Sequence, residues 1–177
     1  MTERIVFLDR DGTMIEKPED GNVNSIQKIR ILPNTIPALK LLTANKFKLF
    51  IITNQGDINK GTLTIEQFYK FNNHILRQLE NEGVHIEDTF VCPHTPQDNC
   101  NCRKPKSGML EAAEQKYGLN LKGSYVIGDR KTDIQIGKNV GSKTIFVLTG
   151  KDSPNKTMKP DFIAKDLLDA AKYILSN

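Results

Sequence analysis

The chain has 177 residues, of which 38% are hydrophobic and 26% are charged. This composition is typical of a folded globular protein with a real core and excludes a disordered chain. The net charge of +4 is mild. It suits a small anionic substrate, and without a stripe of Lys and Arg interleaved with aromatic residues it does not favour nucleic acid as a partner. The apolar runs are only strand-length and no signal-peptide pattern is present, so we expect no membrane span and a cytoplasmic location.

The first apolar run, residues 5–8, predicts a short buried strand. Two carboxylates, Asp9 and Asp11, follow it directly, and Gly12 ends the strand. Two acids so close together repel each other unless a positive charge lies between them. A divalent cation with oxygen ligands is the natural solution. The simpler interpretation, a strand followed by an Asp-Gly turn, stays open at this point.

Strands and helices alternate along the rest of the chain, which predicts an α/β fold with a parallel sheet flanked by helices. Residues 14–30 are polar and lack periodicity, so we expect a loop or flap there. No repeat or linker divides the sequence, and we expect a single domain over residues 1–177. The later strands are predicted at 47–52, 86–91, 125–127 and 144–148, and the helices at 35–45, 64–82, 108–117, 132–138 and 166–175.

Polar side chains follow three of the predicted strands. They are Asp9 and Asp11 after the first strand, Thr53 and Asn54 after the second, and Asp129, with Asp133 one helical turn later, after the fourth. The carboxyl ends of parallel strands share one edge of a sheet, so we expect these groups to meet there, near Arg103 and Lys104. The acids could hold magnesium, and the hydroxyl, the amide and the lysine could bind phosphate oxygens. Together these groups predict phosphoryl transfer. No Walker-type glycine loop is present, which argues against a nucleotide-driven kinase or GTPase.

The four motifs 9–13, 53–54, 104 and 128–133 resemble those of the haloacid dehalogenase (HAD) superfamily of phosphatases. The resemblance implies a Rossmann-like fold in which Asp9 attacks phosphorus and becomes an aspartyl phosphate. It implies that Asp11 protonates the leaving oxygen and then activates water. It further implies that Asp9, the main-chain carbonyl of Asp11 and Asp129 bind Mg²⁺ with support from Asp133, and that Thr53 and Lys104 hold the phosphoryl group.

Each motif taken alone also has a simpler interpretation. Thr53 and Asn54 fit an ordinary turn, Lys104 a surface lysine, and Asp129 a helix cap. Asp9 is also the kind of residue that accepts phosphate in a signalling receiver domain, and a zinc-stabilised binding module or a polynucleotide end phosphatase are further alternatives. The convergence of all the motifs on one sheet edge favours the phosphatase.

All three cysteines of the chain lie in one loop together with a histidine: Cys92, His94, Cys100 and Cys102. An odd number of clustered cysteines without an export signal argues against disulfides. Four such ligands suit Zn²⁺ in a tetrahedral, purely structural site. Because the loop runs directly into Arg103 and Lys104, we expect the zinc to fix these two side chains towards the substrate.

The zinc loop resembles that of two phosphatase families within the superfamily. Residues 53–61, 106–109 and 149–151 resemble the D-glycero-D-manno-heptose 1,7-bisphosphate phosphatases, whereas the five-residue spacer before Cys100 resembles the histidinol-phosphate phosphatases, and Arg130 departs from the lysine frequent in heptose enzymes. From this resemblance we expect the heptose bisphosphate as the substrate, with histidinol phosphate as the alternative. The substrate, a small phosphorylated sugar or metabolite, is expected to contact Asn54, Gln55, Arg103 and Arg130 in a monomer.

No gap between the motifs has room for a cap domain, so we expect an open site screened by the zinc loop and a flap at 17–24.

Overall fold

The computed structural model describes residues 3–17, 25–155 and 157–177. Within these residues, six parallel strands form one sheet in the order β3-β2-β1-β4-β5-β6. The strands are β1 Arg4–Leu8, β2 Phe47–Asn54, β3 Asp88–Cys92, β4 Tyr125–Gly128, β5 Lys143–Val147 and β6 Phe162–Ala164. This is the order of a doubly wound sheet, and it places β1 between β2 and β4 at the point where the strand order reverses.

Helices cover both faces of the sheet, as the alternating pattern predicts. They are α1 Thr35–Ala44, α2 Ile65–Asn81, α3 Gly108–Tyr117, α4 Lys131–Asn139 and α5 Leu167–Ser176, with short 3-10 helices at Ile26–Lys28, Pro96–Asp98 and Leu121–Gly123. Successive side chains of a strand point to opposite faces. Val6 and Leu8 of β1 therefore pack with α1, α2 and α5, whereas Ile5 and Phe7 pack with α3 and with Ile136 of α4.

Local signals in the sequence fix several of the helix ends. The Thr64 side chain accepts a hydrogen bond from the main-chain N–H of Gln67 (3.1 Å), and the Gln67 side chain accepts one from the N–H of Thr64 (2.8 Å). This reciprocal capping box starts α2, as predicted. Helix α3 ends at Gly118, whose φ of +66° is the left-handed conformation that glycine adopts without a steric penalty.

The structure corrects the predicted strands in three places. β2 continues to Asn54 rather than ending at residue 52, because Thr53 and Asn54 still pair with β3. β3 begins at Asp88 rather than at residue 86; Ile86 is buried in the connection before it, where Glu87 N–H bonds to Leu49 O (2.8 Å). β6 was not predicted at all. Its three residues are too short for a periodic pattern, and they form the edge of the sheet beside β5.

The loop after β1 is only partly described. Ile15 forms isolated bridges with Asp11 and Ile31, and the 3-10 helix Ile26–Lys28 lies before α1. Most of the predicted flap, residues 18–24, lies outside the described residues. Over the described ranges, the connections between β1, β2, β3 and β4 contain no inserted domain, in accord with a capless fold. None of the described helices combines the length and the apolar character needed to cross a bilayer.

Candidate active site

The carboxyl ends of β1, β2 and β4 open into a cavity of about 630 Å³. Because these strands are neighbours in the sheet, the motifs that follow them converge although they are far apart in sequence. Eight predicted site residues line the cavity: Asp9, Asp11, Thr53, Asn54, Gln55, Arg103, Lys104 and Arg130. The two remaining acids, Asp129 and Asp133, lie beneath them and are fully buried.

Lys104 is the central cation of the site. Its Nζ lies 2.6 Å from Asp9 Oδ1 and 2.6 Å from Asp133 Oδ1, and it donates to Ile52 O at 3.0 Å. Burial lowers the pKa of Lys104, but attraction to the carboxylates of Asp133 and Asp9 outweighs it, so the pKa lies above the usual lysine value. The side chain therefore stays charged. The sequence alternative of a surface lysine is excluded, because Lys104 is only 4% exposed.

The carboxylates of Asp9, Asp129 and Asp133 form a cluster whose ligand oxygens lie within 4.8 Å of one another. Oδ2 of Asp129 is buried and has no hydrogen-bond partner within the described residues. Burial, together with repulsion from Asp9 and Asp133, raises the pKa of Asp129. Burial also raises the pKa of Asp133, although Lys104 opposes this shift. A hard divalent cation such as Mg²⁺ prefers such oxygens and would relieve their repulsion, so the residues fit the predicted metal.

Two glycines bring the main chain close to Asp129. A Cβ atom on Gly150 would lie 1.8 Å from Asp129 Oδ2, and one on Gly12 would lie 2.6 Å from the same oxygen. Gly12 also has a φ of +95°, which other residues rarely adopt. The hydroxyl of Thr149 donates to Gly12 O at 2.7 Å and joins the loop after β5 to the loop after β1. Only glycine fits at either position beside the acid cluster.

The Asp11 carboxylate is separate from this cluster. Its oxygens accept hydrogen bonds from Arg10 Nε and Nη2, both at 3.1 Å, and from Gln55 Nε2 at 2.6 Å. The magnesium role predicted for Asp11 concerned its main-chain carbonyl, not this side chain. Asp11 lines the cavity together with Asp9, and its predicted role as a proton donor stays a prediction.

Thr53, Asn54 and Gln55, at and just after the end of β2, differ from one another in their hydrogen bonds. Thr53 is buried, and its Oγ1 accepts from Gln55 Nε2 (3.0 Å), which leaves its hydroxyl hydrogen available to another acceptor. Asn54 binds the main chain of Lys104 through both polar atoms of its amide. Asn54 and Gln55 line the cavity, and their predicted contact with substrate stays a prediction.

Cys92, His94, Cys100 and Cys102 form a second cluster that could hold a metal ion. The cysteines are not joined by disulfides, and the ligand atoms lie 3.1–3.8 Å apart where they contact one another. Tetrahedral Zn²⁺ with sulfur ligands at about 2.3 Å requires ligand separations of about 3.8 Å, close to the upper end of this range. The residues therefore fit zinc, as predicted.

The electrostatics of this cluster favour a metal-binding thiolate at one position in particular. Burial raises the pKa of Cys92. Burial has the same effect on Cys100, but hydrogen bonds from the Cys102 thiol and the Arg103 main-chain N–H outweigh it and lower the pKa to about 7. The loop also fixes the side chain of Arg103, whose Nη1 donates to His94 O at 2.7 Å. The zinc loop and the cavity wall are thus one connected structure.

Sequence reasoning missed Arg10, which is among the largest fully buried side chains of the described residues. It also missed the hydrogen bond of Thr149 to Gly12 and the close approach of Gly150 to Asp129. A signal for Arg10 was present, because a charged residue between two site acids is unusual in a chain segment that enters the core. The direction of its side chain is not visible in the sequence.

Comparison with protein families and curated proteins agrees with this site. Residues 101–170 match the HAD-hydrolase-like family model. The histidine biosynthesis bifunctional protein HisB of Blochmanniella floridana is 38% identical over 146 residues, which is 82% of this chain and 41% of that protein. HisB of Legionella pneumophila (strain Lens) is 40% identical over 139 residues, 78% of this chain and 40% of that protein. The chain thus spans about two fifths of the length of these curated relatives.

Solved structures show the same fold. D,D-heptose 1,7-bisphosphate phosphatase from B. bronchiseptica, crystallised with magnesium and phosphate, is 26% identical and has a TM-score of 0.88 over 98% of both chains. The enzyme of the same name from Burkholderia thailandensis is 20% identical with a TM-score of 0.71, over 99% of this chain and 100% of that chain. At 20% identity the second similarity shows the fold alone. The sheet order, the converging motifs and these matches together show that the chain belongs to the HAD-like hydrolases.

Proposed function

We propose that this chain is a magnesium-dependent phosphatase that hydrolyses small phosphate monoesters through an aspartyl phosphate on Asp9. The observation that carries the proposal is the position of Asp9 at the floor of the cavity, with Lys104 2.6 Å from one of its carboxylate oxygens. A carboxylate so placed is an oriented nucleophile, and the lysine beside it offers positive charge to an incoming phosphate.

The residues suit a two-step reaction. A carboxylate oxygen of Asp9 bonds to phosphorus while the bond from phosphorus to the ester oxygen breaks, and Asp11 gives that oxygen a proton. Asp11 then takes a proton from water as the water oxygen bonds to phosphorus. The bond from phosphorus to Asp9 breaks, which releases inorganic phosphate and restores Asp9. Thr53 and Lys104 bind phosphoryl oxygens throughout.

Mg²⁺ would be held by Asp9 and Asp129, with Asp133 supporting them. When bound, it neutralises charge that develops on the phosphoryl oxygens. Support for the metal comes from the unpartnered Asp129 oxygen and from the fit of the acid cluster to a hard cation. Zn²⁺ in the cysteine loop would be structural, since four protein ligands leave no open position for substrate.

The cavity wall favours a substrate with a second anionic group. Apart from the residues assigned to catalysis, the lining includes five basic side chains and one acidic one, Asp57. The basic residues are Lys17, Lys60, Arg103, Lys106 and Arg130. Arg130 lines the cavity, and arginine offers a planar fork to phosphate. We therefore favour D-glycero-D-manno-heptose 1,7-bisphosphate, in line with the neighbouring structure of that enzyme.

Histidinol phosphate is the second candidate. It is favoured by the higher identity to the HisB proteins, 38–40% against 26% for the heptose enzyme. Its amino group is cationic, however, and the wall described above carries mostly positive charge. A third possibility, a zinc-stabilised binding module without catalysis, needs the cysteine loop but not Asp9 or Asp11.

A magnesium-dependent phosphate-release assay on the purified protein tests the proposal. The substrates are heptose 1,7-bisphosphate, histidinol phosphate, fructose 1,6-bisphosphate and a 3′-phosphorylated oligonucleotide, with Asp9→Asn as the matched control. We expect preferential release from the heptose bisphosphate that depends on Mg²⁺ and is abolished in D9N. Preference for histidinol phosphate would replace the substrate and keep the mechanism. Release that persists in D9N would refute the aspartyl-phosphate mechanism.

Several further properties belong to the same proposal. The chain would act as one domain and as a monomer, in the cytoplasm, on a substrate that reaches an open cavity. Lys17 and the zinc-loop residues Thr95 and Pro96 line the cavity, which supports the predicted screening of the site. Size-exclusion chromatography with light scattering would test the monomer.

A further inference from the structure

Arg10 lies between the two site acids that follow β1, but it is not among the residues that line the cavity. The residue is 1% exposed. Direct contact with substrate is therefore excluded for it. Its main-chain carbonyl accepts hydrogen bonds from Met14 (2.9 Å) and Ile15 (3.1 Å), which closes the tight turn after β1.

The guanidinium of Arg10 is bound to one acid and one ring. Nε and Nη2 each lie 3.1 Å from one oxygen of Asp11, so the pair is bidentate. Its Cζ lies 5.0 Å from the centre of the Phe68 ring, in the arrangement of a cation–π contact. Phe68 is in the first turn of α2 and is buried. The third nitrogen, Nη1, has no hydrogen-bond partner in the described part of the chain.

Stability does not explain this arrangement well. A buried ion pair often contributes no more to stability than apolar side chains of similar volume would. Here one of the guanidinium nitrogens is buried without an acceptor, which adds a cost. The arrangement does have a directional effect, since two fixed N–H groups on one side and Gln55 Nε2 on the other set how the Asp11 carboxylate is turned.

We propose that Arg10 is a positioning residue that fixes the Asp11 carboxylate for proton transfer, with Phe68 as its apolar support. This inference rests on the proposed function, in which Asp11 protonates the leaving oxygen and then activates water. Proton transfer requires the carboxylate within hydrogen-bond reach of the reacting oxygen, so a freely rotating Asp11 would be inefficient. Arg10 acts only through Asp11 and touches no reacting atom.

The test separates proton donation from folding by comparing two leaving groups. A sugar phosphate needs a proton on its leaving oxygen, whereas the p-nitrophenolate of p-nitrophenyl phosphate leaves without one. We expect Arg10→Met to lower kcat/KM for heptose 1,7-bisphosphate, or for the best substrate of the screen, by about 10²-fold, and to lower the burst rate of p-nitrophenol release by less than about threefold. Asp11→Asn should show the same selectivity.

Three further variants complete the test. Arg77→Met removes an exposed arginine from α2 and should change neither rate. Arg10→Lys keeps the charge but not the bidentate fork, so it should lower kcat/KM for the sugar phosphate selectively, as Arg10→Met does. This variant decides the question if Arg10→Met does not fold. Equal losses with both substrates, or wild-type rates with both, would overturn the inference. Full activity in Asp9→Asn would instead show that the proposed function itself has failed.

Discussion

Asn54 and Lys104 are fifty residues apart in the sequence, yet the Asn54 amide pairs with both main-chain groups of Lys104. The Lys104 N–H donates to Asn54 Oδ1 (3.1 Å), and Asn54 Nδ2 donates to Lys104 O (3.2 Å). The end of β2 thereby holds the segment that carries the buried lysine. We therefore expect the position of the lysine Nζ between Asp9 and Asp133 to depend on this contact.

Replacing Asn54 should destabilise the protein and displace Lys104. In Asn54→Ala the part-buried N–H and C=O of Lys104 lose their partners, and we expect the free energy of unfolding to fall by about 1–3 kcal/mol. The phosphatase rate should fall as well, since the lysine no longer faces the phosphate. Urea denaturation and the release assay measure the two effects. Asn73→Ala, at an exposed position of α2, should stay within about 0.5 kcal/mol of wild type.

Gly150 should be essential for magnesium binding. A methyl group there would overlap Asp129 Oδ2, so Gly150→Ala must push the carboxylate or the loop aside. We expect magnesium affinity to fall about 10- to 100-fold, measured by isothermal titration calorimetry. Gly123→Ala is the control, because no atom lies within 4 Å of a Cβ at that position. Equal affinities in both variants would show that the Asp129 site tolerates the displacement.

The stability of the metal-free protein should decrease as the pH rises. Burial and repulsion from Asp9 and Asp133 raise the pKa of Asp129 to about 8, so the folded protein keeps a proton that the unfolded chain has already lost. Between about pH 4 and this value, each such proton lowers the free energy of unfolding by about 1.4 kcal/mol per pH unit.

Two comparisons check that assignment with denaturant titrations at several pH values in EDTA. Asp129→Asn removes the ionisable group, so its stability should fall less steeply over this range. Saturating Mg²⁺ should also flatten the wild-type profile, because the ion binds the deprotonated carboxylate. Identical slopes for the wild type and Asp129→Asn in EDTA would assign the proton uptake to another group.

Loss of zinc should impair activity although zinc takes no part in the reaction. His94→Ala removes one of four ligands, and we expect a lower zinc content by mass spectrometry and a melting temperature about 5 °C lower, or about 2 kcal/mol for a chain of this size. Phosphate release should fall because the main-chain carbonyl of residue 94, which accepts a hydrogen bond from Arg103 Nη1, is no longer held in place by a bound metal. His85→Ala, at a side chain that is 66% exposed, should leave zinc content and melting temperature unchanged.

The sequence predicts the core of the fold because its signals there are local. Apolar runs mark β1 and β2, and Thr64 with Gln67 marks the start of α2. Convergence of the site followed from one general rule about parallel strands rather than from any detail of packing. β6 escaped prediction because a three-residue edge strand takes its structure from its neighbour β5, not from its own pattern.

The roles of individual side chains were less predictable, because they depend on direction. Asn54 is predicted as a substrate ligand, which stays a prediction, and the sequence gives no sign that its amide also binds the main chain of Lys104. No role was predicted for Arg10, whereas in the structure its buried side chain donates two hydrogen bonds to Asp11. The importance of Gly150 rests on a distance to Asp129 across the site, which no local pattern encodes.

The register of β2 and β3 joins the zinc loop to the segment that carries Lys104. Asn54 of β2 pairs with Cys92 of β3, and the Cys92 sulfur lies 3.1 Å from the Cys102 sulfur. Lys104 follows two residues after Cys102, and its main-chain N–H donates back to the Asn54 side chain. These contacts form a closed frame of residues 54, 92, 102 and 104, and the pairing of β2 with β3 sets its width. The residues between His94 and Cys100 are not part of that frame, so we expect that a change in their number leaves the lysine in place.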